Sequence, residues 1–133
     1  MFRAMLDTNI VSELMREPRG HVRQRLDAFG ADDVCMSIIA AGELRFSVEK
    51  SQSAKVLRQY EQVVAAIPVL GFEAPAHECY GRLRAGLLSA GRPIGPNDLF
   101  IAAHALALNL TLITANTREF SRVPGLAVEN WLD

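Results

Sequence analysis

Residues 96–126 of the chain read PNDLFIAAHALALNLTLITANTREFSRVPGL. The stretch opens on a proline, whose missing N–H does no harm in a first helical turn, and the apolar run after it predicts a helix over residues 97–108. Residues 110–114 are rich in side chains that favour strands, and residues 116–125 then form a loop or a short turn of helix. A helix followed directly by a strand is typical of an α/β protein.

The rest of the chain repeats this alternation of short apolar runs and amphipathic stretches. Further strands are predicted at residues 2–6, 34–36, 68–70 and, at an edge of the sheet, 126–129. Further helices are predicted at 9–16, at 21–29, from the cap Ser37 to Lys50, from the cap Ser53 to Ala66, and at 74–90, with Tyr80, Leu83, Leu87 and Leu88 on the apolar side of the last. We therefore predict one α/β domain over residues 1–133, in which helices cover both faces of a mostly parallel sheet of about five short strands.

The composition limits the class of protein. Hydrophobic residues make up 50% and charged residues 22% of the 133 residues, which suits one folded domain and argues against a disordered chain. The formal net charge is −1. Proteins that bind nucleic acid through their own surface are usually strongly basic, so the bulk charge counts against a nucleic-acid partner.

Neither the start of the chain nor its cysteines indicate export. Asp7 interrupts the first apolar run too early for a signal peptide, and no apolar run approaches the roughly 18 residues that span a bilayer. Cys35 and Cys79 belong to no Cys-x-x-Cys pair, and we interpret both as buried free thiols. We expect a cytoplasmic protein without a disulfide framework or a membrane partner.

Acids and amides follow the predicted strands repeatedly. Ligands of open parallel sheets bind outside the carboxyl ends of the strands, so these positions are candidates for a site. They hold Asp7 with Thr8 and Asn9, Glu43 one helical turn after the second strand, Asp98 at the start of the 97–108 helix, and Asn116 and Glu119 after the strand at 110–114. Taken singly, Asp7 is better explained as a helix cap, and Asp98 as an acid stabilised by the helix dipole, than as a site residue.

Glu43 is harder to explain as a structural residue. It lies in an almost wholly apolar stretch, residues 38–44, and no Lys or Arg occupies the neighbouring helical positions 39, 40, 46 and 47. A carboxylate in such a place faces the core or a cleft and needs a partner, because burying an unpaired charge is costly. Oxygen ligands without His or Cys favour Mg²⁺ or Mn²⁺, and such a site hydrolyses phosphodiesters.

These residues resemble the PIN-domain family, and specifically the VapC-type ribonuclease toxins of bacterial type II toxin–antitoxin systems. The resemblance covers essentially the whole chain and rests on residues 5–9 (MLDTN) with Ser12 following, on the Glu43–Leu44 pair, and on residues 96–126. It implies a PIN-like three-layer sandwich and a Mg²⁺- or Mn²⁺-dependent endoribonuclease, acting often on structured RNA such as tRNA and so inhibiting translation and growth. By this analogy Asp7, Glu43 and Asp98 hold the metal.

The resemblance also implies partners, and the chain departs from the family's pattern in two places. The implied partners are a second copy of the chain and a cognate VapB-like antitoxin, which lays a peptide across the cleft and would carry any DNA contact. Asn116 stands where the family often has a fourth acid, which puts a fully acidic two-metal site in doubt. Glu119 is the nearby candidate to replace that charge, directly or through water. Ser47 stands where relatives commonly have Gly, with little expected effect.

Several further residues have two interpretations. Thr8 and Asn9 either position water or phosphate or act as turn and cap residues, and Ser12, one helical turn from Asn9, is a candidate for the same polar network. Thr114 either orients Asp7 or Asn116 or is a plain strand-end residue. Arg82, Arg84 and Arg92 are predicted to lie on a solvated helix face, in preference to contacting RNA. His104 is predicted to be a buried, hydrogen-bonded residue and Trp131 a packing anchor.

The sequence leaves two other functions open. A phosphatase of the haloacid-dehalogenase kind also uses an acid after its first strand, but it needs a second Asp where this chain has Asn9. A catalytically silent module that only binds its partner is kept open by Asn116. Metal binding separates the silent module from an enzyme.

Overall fold

The computed structural model describes residues 1–132. Its strands are β1 (Ala4–Leu6), β2 (Val34–Ser37), β3 (Val69–Leu70), β4 (Thr111–Ile113) and β5 (Val128–Glu129). Its α-helices are α1 (Thr8–Arg16), α2 (His21–Phe29), α3 (Ile38–Ser51), α4 (Ala54–Ala66), α5 (Ala76–Ser89), α6 (Pro96–Ala107) and α7 (Thr117–Phe120), and a 3₁₀ turn spans Ala31–Asp33. The predicted alternation of strands and helices is confirmed.

The strands of residues 1–132 form one sheet of five, in the order β3-β2-β1-β4-β5. Every neighbouring pair is parallel; Met5, for example, lies opposite Cys35 on one side and Leu112 on the other. The chain builds β1, β2 and β3 outward in one direction and then returns to add β4 and β5 on the opposite side of β1. The switch in direction lies between β1 and β4, and such a switch leaves a crevice at the carboxyl ends of the two strands.

Alternate residues of the central strands face two separate cores. Leu6 and Ile113 belong to one core, with residues of α1, α2 and α4, whereas Met5 and Leu112 belong to the other, with residues of α5 and α6. All four side chains are fully buried. A sheet that is covered on both faces needs apolar residues at every position, which explains why β1 and β2 read as continuous apolar runs.

Local capping fixes where several helices begin. The side chains of Ser37 and Ser53 accept hydrogen bonds from the N–H groups of Ile39 and Val56, as the sequence predicts for these two caps. Asp7 caps α1 in the same way, through the N–H of Thr8. The carboxyl ends of β1 and β2 therefore turn directly into helices.

The predicted boundaries are wrong in detail. Four of the five strands are shorter than predicted, because a strand ends where its neighbour no longer offers hydrogen-bonding partners, whereas β2 runs one residue further than predicted, to Ser37. Leu88 does not join the apolar side of α5, since its side chain is 61% exposed. Cys35 is buried as predicted, but Cys79 is only half-buried; both are free thiols. Within residues 1–132, no helix has the length and apolar character needed to cross a membrane.

Candidate active site

Asp7 lies at the crevice between β1 and β4. Its side chain is only 3% exposed, and one carboxylate oxygen accepts the N–H of Thr8 at 2.8 Å. The other oxygen accepts the hydroxyl of Thr114 at 2.8 Å and the amide of Asn9 at 3.3 Å. Burial raises the pKa of Asp7, and the charge of Glu43 raises it further, although these hydrogen bonds act in the opposite direction.

Thr114 and Asn9 join the ends of the two strands around Asp7. The hydroxyl of Thr114 also accepts the backbone N–H of Asn116 at 3.0 Å, so Thr114 contacts both predicted partners. The side-chain oxygen of Asn9 accepts the N–H of Ala115 at 3.0 Å. These bonds give Thr114 and Asn9 a positioning role beyond that of plain strand-end or turn residues.

We predict that Thr114→Val destabilises the protein by about 1–3 kcal/mol, because it leaves a buried carboxylate oxygen and a backbone N–H without their main partner. Val has nearly the same shape, so packing changes little. Urea unfolding of Thr114→Val and of the parent chain measures the effect, and Thr111→Val, in the strand that Thr114 follows, is the matched control. Equal stability of Thr114→Val and the parent chain would show that the hydroxyl does not hold the site together.

Glu43 projects from α3 toward the same edge of the sheet. The hydroxyl of Thr8 donates to one of its oxygens at 2.5 Å, and the amide of Asn97 donates to the other at 3.2 Å. In the part of the chain that the structure describes, no Lys or Arg forms an ion pair with Glu43. Glu43 lines an open cleft of about 670 Å³, whose apolar wall includes the exposed side chain of Phe46. The expectation of a cleft-facing carboxylate is confirmed.

Asn97 is an amide at the strand-end edge, beside Asp98, to which the sequence assigns no specific role. Its contact with Glu43 joins the first turn of α6 to α3, across 54 positions of sequence. The signal available in the sequence was its place directly before Asp98, at the start of a helix that begins at the carboxyl edge of the sheet.

Asp98 and Glu119 lie against each other. Burial raises the pKa of Asp98 to about 7, and a hydrogen bond to Glu119 together with the charges of Glu119, Asp7 and Glu43 adds to the shift. Burial acts to raise the pKa of Glu119 as well, but hydrogen bonds from Gly95, Asp98 and Asn116 and the charge of Arg122 outweigh it, and its pKa is lowered. Asp98 therefore holds the proton of this pair.

Asn116 and Glu119 do come to the site, as the sequence predicts for that corner. The side-chain amide of Asn116 donates to one oxygen of Glu119, and the N–H of Gly95 donates to the other at 2.8 Å. The negative charge at this corner thus comes from Glu119, next to Asp98, and Asn116 holds Glu119 in place.

Ser12 is the one predicted member that the structure does not bring to the polar network. Its hydroxyl accepts a hydrogen bond from Arg16 at 3.1 Å, on the solvent side of α1. Asn9 and Ser12 are three residues apart, and a helix rises about 4.5 Å over that distance, so α1 carries Ser12 away from the sheet edge.

The acids present a donor set of hard oxygens. Asp7 follows β1, Glu43 lies in α3 and Asp98 lies in α6, and the charges of Asp7 and Glu43 both raise the pKa of Asp98. Within residues 1–132, no group of three or more His, Cys, Asp or Glu side chains lies close enough together to hold a metal ion. The donors therefore do not form a closed zinc site. Carboxylate oxygens at a cleft do fit Mg²⁺, which keeps several waters and needs only one or two protein carboxylates.

We call the edge of the sheet that carries Asp7, Glu43, Asp98 and Glu119 the acid edge. The remaining residues for which the sequence predicts a role lie outside it. His104 is 2% exposed and hydrogen-bonded to Ser37 at 2.8 Å, and burial lowers its pKa, so it is a structural residue as predicted. Trp131 is 1% exposed and packs on Phe29 with ring centroids 5.3 Å apart, which confirms the packing anchor. The arginines at positions 82, 84 and 92 are exposed.

Fold and acid edge together define an α/β protein with carboxylates at the switch point of a parallel sheet. The model of the PIN domain matches residues 4–126, and the chain therefore belongs to the PIN-domain family. Membership of this family argues against a phosphatase of the haloacid-dehalogenase kind. In addition, Asn9, which stands where such a phosphatase needs an Asp, is hydrogen-bonded to Asp7 and to the N–H of Ala115.

Named relatives match the chain over nearly its full length. The tRNA(fMet)-specific endonuclease VapC of Shigella flexneri is 40% identical over 132 residues, which cover 98% of this chain and 99% of that protein. The structure of VapBC2 from Rickettsia felis bound to a promoter DNA fragment matches with a TM-score of 0.91 at 34% identity, covering 98% of this chain and 99% of the other. DNA-bound VapBC from Salmonella typhimurium matches with a TM-score of 0.89 at 34% identity and the same coverage.

Proposed function

We propose that this chain is the ribonuclease toxin of a toxin–antitoxin pair and that it cleaves RNA internally with the help of Mg²⁺ or Mn²⁺. The observation that carries the proposal is the set Asp7, Glu43 and Asp98, brought from three elements to one edge of the sheet in a member of the PIN-domain family. The VapC names of its relatives support ribonuclease activity, and the name of the Shigella flexneri relative favours tRNA as the substrate. Cleavage of tRNA would inhibit translation and growth.

The chain's own residues divide the work of such a site. Asp7, Glu43 and Asp98 would hold the cation, while Thr114, Asn9 and Thr8 fix the carboxylates of Asp7 and Glu43. A bound divalent cation supplies positive charge that activates water and stabilises an in-line displacement at phosphorus. Glu119 and Asp98 share one proton near neutral pH, so this corner accepts or releases a proton with little cost.

The proposed partners follow from the structural neighbours. The Rickettsia felis and Salmonella typhimurium structures are VapBC complexes bound to DNA, and they support a VapB-like antitoxin for this chain, with DNA contacted through the antitoxin. The open cleft beside Glu43, with exposed Phe46 and Ile38 on its wall, is suited to an extended peptide. We also propose that the toxin is a homodimer within that complex.

Incubating the purified chain with bulk tRNA tests the proposed activity. We expect internal cuts with Mg²⁺ or Mn²⁺ and loss of cutting with excess EDTA, because the carboxylates repel the phosphate backbone unless a cation lies between them. Mapping the new RNA ends identifies the cleaved RNA. Cutting that survives complete chelation would refute the metal-dependent mechanism.

A catalytically silent binding module is the second candidate, and Asn116 favours it because the family's usual fourth acid is missing there. On that reading the chain still binds its antitoxin but neither binds Mg²⁺ nor cuts RNA. The presence of Glu119 at the same corner favours the enzyme.

A further inference from the structure

A second cavity, of about 240 Å³, is lined by residues of α5, of the loop that leads into α6 and of the segment that follows α7. Three arginines line it: Arg82 of α5, Arg92 of the loop, and Arg122, which follows α7. Leu87 is among its apolar lining residues, and no Asp or Glu is among the residues that line it. The cavity is thus a positively charged hollow with an apolar floor.

None of the three guanidinium groups forms an ion pair with a carboxylate within residues 1–132, although the charge of Arg122 does act on the nearby Glu119. The ion pairs within residues 1–132 involve five other arginines, at positions 3, 16, 23, 25 and 45. Arg82 donates to the sulfur of Cys79 at 3.9 Å, and Arg122 donates to the carbonyl of Pro93 at 3.0 Å. In a chain with a net charge of −1, three unpaired arginines around one cavity indicate a place for an anion.

This arginine cavity is connected to the acid edge by a very short piece of chain. Arg122 donates a hydrogen bond to the carbonyl of Pro93 in the loop before α6. Gly95, two residues after Pro93 in that loop, donates its N–H to the carboxylate of Glu119. A Cβ placed on Gly95 would lie 3.6 Å from a carboxylate oxygen of Asp98, so Gly95 is in contact distance of the acids. Three residues of extended chain span at most about 10 Å, which sets the scale of the separation.

We propose that the arginine cavity binds a backbone phosphate of the RNA, a few nucleotides from the bond that is cut at the acid edge. The inference rests on the proposed ribonuclease function and adds a binding site to it. A guanidinium presents a planar fork of donors that matches phosphate oxygens, and such contacts fix the register of a strand without reading its sequence. An RNA strand is favoured over an acidic peptide because its phosphates repeat, so one strand occupies the cation site and the arginines together.

Binding of fluorescently labelled bulk tRNA, measured by anisotropy at several salt concentrations, tests this site. All variants carry Asp7→Asn, so that binding is measured without cleavage. Replacing Arg82 and Arg92 by Gln should each weaken binding by up to about fivefold, as expected for exposed charge pairs. Each loss should also reduce the slope of log affinity against log salt by roughly 0.7 to 0.9, since one phosphate contact is removed.

Two further variants make the result specific. Arg58→Gln removes an exposed arginine of α4 that forms no ion pair in residues 1–132, and it should leave both affinity and slope unchanged. Arg92→Lys keeps the charge and should keep the salt slope, which separates phosphate binding from a merely structural role.

The outcomes distinguish this site from the function on which it rests. If the parent chain cuts tRNA while the Arg82 and Arg92 variants bind it with unchanged affinity and slope, the arginine cavity is refuted and the ribonuclease stands. If these variants keep RNA affinity but lose the antitoxin, the cavity is a peptide site and the proposal is wrong. If the parent chain neither binds nor cuts tRNA, the proposed function itself fails.

Discussion

Replacing Asp7 by Asn should lower the rate of RNA cleavage by at least about 100-fold while the protein stays folded. Even residues that only support metal ligands typically contribute 10- to 100-fold to affinity or activity, so the loss of an anionic ligand should exceed that range. The amide has the shape of the carboxylate and can still accept the N–H of Thr8. What the variant lacks is the negative charge that attracts a cation.

The fold should survive because the charge of Asp7 opposes folding. Burial raises the pKa of Asp7, which means that the ionised carboxylate is less favourable in the folded chain than in the unfolded chain. An amide removes the cost of burying this charge and the repulsion from Glu43. Its NH₂ group, however, cannot accept the hydrogen bonds that Thr114 and Asn9 donate to the carboxylate oxygen in the parent chain. We expect a melting temperature within a few degrees of the parent value.

Single-turnover cleavage and thermal unfolding of the same preparations check both halves of this prediction. Asp32→Asn is the matched control, since Asp32 is an exposed acid of the turn before β2, at the opposite edge of the sheet. It should cut at the parent rate. An Asp7→Asn chain that cuts as fast as the parent would show that the site has been assigned to the wrong residues.

The sequence predicts the position of Asp7 and Asp98 well because parallel topology brings strand ends together regardless of detail. The caps Ser37 and Ser53 are equally predictable, since a cap depends on three or four consecutive residues. Contacts such as Asn97 with Glu43 depend instead on how α6 packs beside α3, and no local pattern encodes that packing. The same holds for Glu119 and Gly95, which meet only because the loop before α6 folds over α7.

Ser12 shows the opposite failure, in which a correct local pattern gives a wrong contact. Its spacing from Asn9 does place both residues on neighbouring positions of α1. The direction of the helix away from the sheet edge then decides that only the first turn reaches the site. Ser12, one turn into α1, misses the site, whereas Glu43, one turn into α3, reaches it. A residue one turn into a helix can therefore be placed only once the direction of that helix is known.

Without divalent cations, the free energy of unfolding contributed by Asp98 should fall as pH rises from about 4 to about 7. The pKa of Asp98 is raised from 3.8 to about 7 in the folded chain, so the folded chain keeps a proton that the unfolded chain releases. This stabilisation is complete at a pH below the pKa of Asp98 in the unfolded chain, and it is lost as the pH rises through the pKa in the folded chain. For one proton the slope reaches at most about 1.4 kcal/mol per pH unit.

Asp98→Asn isolates this contribution, because other groups also titrate. The raised pKa of Asp7 acts in the same direction. The lowered pKa of Glu119 affects the free energy of unfolding only below pH 4.5, the ordinary pKa of a Glu, where it makes the protein less stable as the pH falls. The lowered pKa of His104 acts in the opposite direction below 6.5, since charging the buried ring opposes folding. Subtracting the urea-unfolding profile of Asp98→Asn from that of the parent leaves the Asp98 part.

Mg²⁺ should reverse this trend in the parent chain. A cation that binds only the folded state stabilises it by an amount that reaches about 2.7 kcal/mol at 100 times its dissociation constant. Binding to carboxylates requires that they release protons, so the gain should be larger at pH 8 than at pH 6. Asp7→Asn and Asp98→Asn should each lose most of this gain in stability.

If Mg²⁺ instead raises the stability of the parent and of both variants equally at both pH values, these acids do not hold a metal. An intact antitoxin complex would then make the chain a binding module, since the same carboxylates cannot remain crowded and catalyse hydrolysis without a cation between them.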